Sequence, residues 1–144
     1  MTHVRLVHRS RRSLAERRGA ALIEFAIIAP IFFLLVLGIF EFGRGMMVQA
    51  MLASAAQQGA RAGSLTNAQA SDVTTAANEY LTPAGISGAT IVVTPSPPSS
   101  ALPGQDVKVT VSIGYAQVSW IPAPQFLKTK TLSSTAIVQR EMGQ

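Results

Sequence analysis

One carboxylate in this chain stands where a carboxylate is costly. Glu24 interrupts an otherwise apolar run from Ala20 to Phe40, and ionisable groups inside a membrane segment are usually paired and functional. The alternative is a carboxylate near enough to the membrane surface to stay wet. At the far end of the run stand Glu41 and Arg44, three residues apart, a spacing that allows a helical ion pair worth little if solvated. Just before the run lies Gly19, after the basic pair Arg17-Arg18. Elsewhere the chain offers little chemistry. Both histidines, His3 and His8, fall within residues 1–19, and there is no cysteine. Without His or Cys in residues 20–144, the usual general-base, nucleophile and metal arrangements lack their parts. No Gly-rich phosphate loop or metal-spaced ligand set appears. The sequence therefore predicts no enzyme activity, no cofactor and no metal.

Charge distribution separates two readings of a basic protein. The formal net charge is +5, and all of it belongs to residues 1–19, because acids and bases balance over residues 20–144. Basic residues directly before an apolar run hold that end on the cytoplasmic side. That position outweighs the competing reading of a basic arm on nucleic acid, so no nucleic-acid partner is expected.

These groups need elements to position them. Residues 1–19 are Arg-rich, polar and without apolar periodicity, which predicts a mobile segment. Ala20–Phe40 is apolar on every face, the mark of a transmembrane helix rather than a buried soluble one. Pro30 inside it removes one backbone hydrogen bond and predicts a kink or local melting. Gly38 and Gly43 permit close helix contact, a weak signal by itself. Helix is expected to continue over 45–63, with Val48, Met51, Leu52, Ala55, Gly59 and Ala62 forming a stripe of mostly small side chains. A second helix is expected over 71–82, with Ser71 as N-cap, Asp72 in the first turn, and Pro83 and Gly85 closing it.

The remainder reads as strands near 89–94, 106–116 and 129–139. The clearest is Val107–Tyr115, whose odd positions are all apolar and whose even positions are polar or Gly, so one face is buried and one wet. Pro95 to Gly104 is a loop. Trp120, Ile121 and Phe126 lie in a connection broken by Pro122 and Pro124. Core packing under that connection is the expected reading, with an exposed contact patch the alternative.

A conventional signal peptide puts small residues after its apolar core. Here they come before it, at Gly19-Ala20-Ala21. A cut after Gly19 removes the basic arm and leaves the apolar helix as the new N-terminus. Gly19 followed by an apolar run, with Glu24 fifth in the processed chain, resembles the type IV prepilin signature. Within that group the chain is similar to TadE-like proteins, the minor pilins (pseudopilins) of tight-adherence pili. Three stretches carry the likeness: Arg17–Ala26 with Ala29-Pro30, Gly38–Arg44, and Ala55–Ala62.

The resemblance implies cleavage between Gly19 and Ala20 by a membrane aspartic prepilin peptidase, and possible N-methylation of Ala20. It gives Glu24 a partner in the ammonium that cleavage creates, on its own chain or a neighbour's. The expected fold is α+β: a leader (1–19), a transmembrane helix (20–44), and a periplasmic head (45–144) of helix, short helix and about three antiparallel strands. The expected location is the bacterial cytoplasmic membrane, single-pass, with the N-terminus cytoplasmic and the head periplasmic or in the pilus. Expected partners are the lipid bilayer, the prepilin peptidase, other pilin or pseudopilin subunits and the assembly machinery. The competing expectation is an uncleaved single-pass protein whose head tethers a periplasmic partner.

Overall fold

The computed structural model describes residues 10–122 and 124–141, with side chains from Arg18 onward. The basic residues Arg5 and Arg9, with His3 and His8, lie outside the described residues. In order, the elements are α1 (Ser10–Ser64), α2 (Ala70–Leu81), β1 (Thr90–Thr94), β2 (Asp106–Gly114), α3 (Tyr115–Val118) and β3 (Thr131–Gln139). By contacts the chain divides between Ile39 and Phe40 into two compact units.

In the first unit, the backbone is helical from Ser10. This corrects the expectation of a mobile segment over all of residues 1–19. The stretch Arg11-Arg12-Ser13-Leu14-Ala15-Glu16-Arg17-Arg18 is composed mainly of good helix formers, which can extend a helix nucleated downstream. From Leu22 to Ile39 the large apolar side chains are exposed around the helix. Pro30 lies within the continuous helix, so the backbone does not melt there. Among the described residues, α1 is the one helix long and apolar enough to cross a membrane.

The second unit builds its core on residues 48–60 of α1. Val48, Leu52, Ala55, Ala56 and Ala60 are buried there against Val73, Ala77 and Leu81 of α2 and the inner face of the sheet. The expected stripe is close to the observed one, with Ala56 and Ala60 inside and Met51 and Ala62 partly buried. Small residues matter here because the backbone is approached closely. A Cβ on Gly59 would lie 3.2 Å from Val73 and 3.3 Å from Val109, and one on Gly63 would lie 3.1 Å from both Val73 and Val107.

The sheet is antiparallel, in the order β1-β2-β3. Register aligns Ile91 with Val111, Val93 with Val109, Val109 with Ala136, and Ile113 with Leu132. One face therefore collects Val107, Val109, Val111 and Ile113, all buried as their alternation predicts. On the wet face the hydroxyls of Thr110 and Thr135 lie 2.9 Å apart, a cross-strand pair that ties β2 to β3.

Boundaries differ from expectation in three places. The N-cap of α2 is Gln69, not Ser71: Asp72 turns its carboxylate back to the Gln69 backbone N–H at 2.8 Å, and that reciprocal bond draws the helix start upstream. Strand β2 stops at Gly114, because Tyr115 opens the single turn α3. A short 3-10 turn, Pro98–Ser100, sits in the proline loop. Arg140, just after β3, holds that loop by donating through Nη1 to the carbonyls of Ser99 and Ala101.

Candidate functional site

Two sets of residues qualify, and the helix presents them differently. Gly19 and Ala20 lie on α1, within its helical course. Glycine in a helix interior costs about 1 kcal/mol relative to alanine, so a fold that keeps one normally gains a close approach or an unusual dihedral. Gly19 gains neither: a Cβ there would meet nothing within 4 Å, and its φ is not positive. Glu24, one turn on, is exposed, and its side chain makes no hydrogen bond or ion pair among the described residues. Gly19, Ala20 and Glu24 thus share one end of an exposed apolar helix, with side chains that the chain's own packing does not use.

Glu41 and Arg44 are placed otherwise. Both are buried, at 1% and 7% exposure. Instead of turning to each other, they bond the backbone of α3 and of the long connection that follows it. The Glu41 carboxylate accepts three successive N–H groups: Gln125 at 2.6 Å, Phe126 at 2.9 Å and Leu127 at 3.1 Å. Arg44 donates from Nε to the Val118 carbonyl at 2.9 Å and from Nη1 to Met47 Sδ at 3.6 Å. Its guanidinium also lies 4.6 Å from the Trp120 ring centre, within cation–π range. Tyr115, the first residue of α3, donates its hydroxyl to the Glu41 carbonyl at 2.8 Å. In place of a solvated pair, Glu41 and Arg44 form a buried clamp, two residues of α1 gripping the following segment by its main chain.

That grip explains a second correction. Of the two readings of Trp120, Ile121 and Phe126, core packing fails for the aromatics, which are 67% and 50% exposed, while Ile121 is partly buried. A loop held through its N–H and C=O groups does not need its side chains inside, so the aromatics face outward. Local sequence carries only a faint sign of this. Pro122 and Pro124 keep the connection out of any ladder, which leaves neighbouring N–H groups in need of an acceptor. Nothing local identifies Glu41 as that acceptor.

As chemistry, the arrangement binds and positions. Among the described residues no group of His, Asp and Glu is placed to hold a metal. The Glu41 clamp commits both oxygens of that carboxylate to backbone N–H groups of the fold itself. What remains for an outside partner is the Gly19–Glu24 end of α1 and the exposed aromatics.

Residues 19–61 match the family of TadE-like proteins. The match begins at Gly19 and covers less than a third of the 144 residues. The TadE-like segment includes Glu24, Pro30, Glu41 and Arg44, and it ends as α1 completes its buried stripe. No curated protein matches the chain, and no solved structure does. The TadE-like segment therefore spans the apolar run and the helical floor of the head, while the sheet and its clamped loop lie beyond it.

Proposed function

We propose that this chain is a minor pilin or pseudopilin-like structural subunit, or an assembly factor, of a tight-adherence pilus. In this reading prepilin peptidase cuts between Gly19 and Ala20. The new Ala20 ammonium pairs with Glu24 of its own or a neighbouring subunit and sets the stagger between helices. Pro30 lets the helix bend as it packs among others. The chain sits in the cytoplasmic membrane by one span, N-terminus inside and head outside, until it is drawn into or beneath the filament. It performs assembly and no catalysis.

The observation that carries this reading is the idleness of Gly19 and Glu24 within the chain's own fold. A helical glycine without a steric reason suits an enzyme that must reach the backbone. A carboxylate on an otherwise apolar face suits a cationic partner from outside. The likeness of residues 19–61 to TadE-like proteins supplies the pilus as the setting.

The test is the intact mass of the protein purified from membranes of its native host, with and without the prepilin peptidase. Loss of residues 1–19 only where the peptidase is present supports the proposal. An intact N-terminus in both strains overturns it, in favour of an uncleaved tether for a periplasmic partner.

A further inference from the structure

Trp120 is the single tryptophan of the chain, and it is displayed on a loop that α1 has gone to some length to hold. The clamp residues fix where that display occurs. Glu41 follows the last residue of the apolar run, and its carboxylate carries Gln125, Phe126 and Leu127. Arg44 carries Val118 and lies against the Trp120 ring. The loop is thereby tied to the stretch Glu41–Arg44, the level at which a helix spanning from Ala20 to Phe40 leaves the hydrocarbon.

Composition around that level is uneven. Trp120 and Phe126 are exposed, and so are Phe42 and Met46 on α1 itself. Phe42, Met46, Leu127 and Leu132 line a shallow apolar groove. Beside them Lys128 and Lys130 are exposed, while Glu41 is buried and spent on backbone N–H groups. Aromatic rings with a polar edge collect at the headgroup level of bilayers. Lysines flanking them reach phosphates while their stems lie on apolar surface. A water-facing loop gains nothing from this combination, and a bilayer surface gains from every part of it.

We propose that the segments Val118–Pro122 and Pro124–Lys130 form a second membrane contact, an aromatic and cationic foot resting in the headgroup layer of the leaflet from which α1 emerges. This rests on α1 spanning the bilayer. It assigns Glu41 and Arg44 a positioning role: they hold the foot at their own level of the chain, just past the apolar run. A subunit leaving the bilayer for a filament then has to lift this foot as well as withdraw its helix.

The sole tryptophan makes the test direct. The full chain is reconstituted at high lipid-to-protein ratio in phosphatidylcholine vesicles, with and without phosphatidylglycerol. Trp120 emission is read against lipids spin-labelled near the headgroup, lipids labelled near the chain end, and aqueous acrylamide. Seating in the headgroup layer predicts quenching by the shallow label at least about twofold stronger than by the deep one, with reduced acrylamide access. Lys128→Glu with Lys130→Glu is expected to abolish any added protection from phosphatidylglycerol. A Phe126→Trp substitution in a Trp120→Phe background reads the same depth from a second position.

Full acrylamide access without shallow-label quenching, in chains that float with the vesicles, overturns the foot and leaves the span intact. Failure to float overturns the span and the foot together. Protection that appears only as lipid is diluted assigns the patch to a neighbouring subunit and overturns the bilayer contact.

Discussion

The Tyr115 hydroxyl donates to the backbone carbonyl of Glu41 at 2.8 Å, across 74 residues of chain. The same glutamate accepts through its side chain from three loop N–H groups. One residue of α1 thus receives the start of α3 with its main chain and the following loop with its carboxylate. The connection between β2 and β3 is fastened to the helix at both of its ends through a single position.

Removing the carboxylate leaves three N–H groups without their acceptor. Glu41→Ala is expected to destabilise the head by about 3 kcal/mol, since hydrogen bonds to charged groups are worth about 1.5–3 kcal/mol and buried unsatisfied donors add a further cost. Thermal unfolding in detergent, followed by Trp120 emission, measures it. A melting temperature unchanged from wild type would remove the clamp from the account of stability.

Tyr115→Phe keeps the buried ring and deletes only the hydroxyl. The expected loss is about 1 kcal/mol, clearly below that of Glu41→Ala, because a neutral bond is lost and one carbonyl lone pair is left unsatisfied. The ranking of the two variants in the same unfolding assay checks the division of labour between them.

Gly59 and Gly63 test packing in the opposite sense from Gly43. Gly59→Val forces atoms against Val73 and Val109, which already stand 3.2 and 3.3 Å from an ideal Cβ. Overpacking of this kind costs about 1–3 kcal/mol. A Cβ on Gly43 meets nothing within 4 Å, so Gly43→Ala is expected to leave head stability unchanged or slightly raised. Equal melting temperatures for Gly59→Val and wild type would contradict the close approach of α1 to α2 and β2.

Asp72→Ala removes the reciprocal bond to Gln69 that starts α2. A loss of about 0.5–1 kcal/mol is expected, with fraying confined to the first turn. Hydrogen exchange should rise at Asp72 and Val73, whose N–H groups bond the Gln69 carbonyl. It should stay slow at Ala77, inside the core. Uniform acceleration along α2 would count against a purely terminal role.

Much of the architecture was legible because it is periodic. The long apolar run, interrupted by Glu24, names the exposed helix, and the alternation from Val107 to Ile113 names the central strand and its buried face. The small-residue stripe on α1 anticipates a close neighbour, found at Val73 and Val109. What stayed hidden is non-local or depends on small differences. Ser71 and Gln69 compete for the cap of α2, and a single carboxylate decides between them. Residue type makes Trp120 look like core, and only bonds made 74 to 86 residues away turn its loop inside out. For the same reason Glu41 and Arg44 read as a local pair, when their partners lie in the main chain of another segment.

The spacing of the clamp also orders events in time. In the proposed topology, with the N-terminus inside, Glu41 would be among the first residues of the head to emerge, while its acceptor duties await donors 84 to 86 positions later. The sheet is a meander whose strands are successive neighbours, so it can form as it arrives, with short-range pairing. The loop cannot dock until Leu127 has crossed. Until then the Glu41 carboxylate lacks the N–H groups that bury it, and the head is a door hung on its hinge with the latch still open.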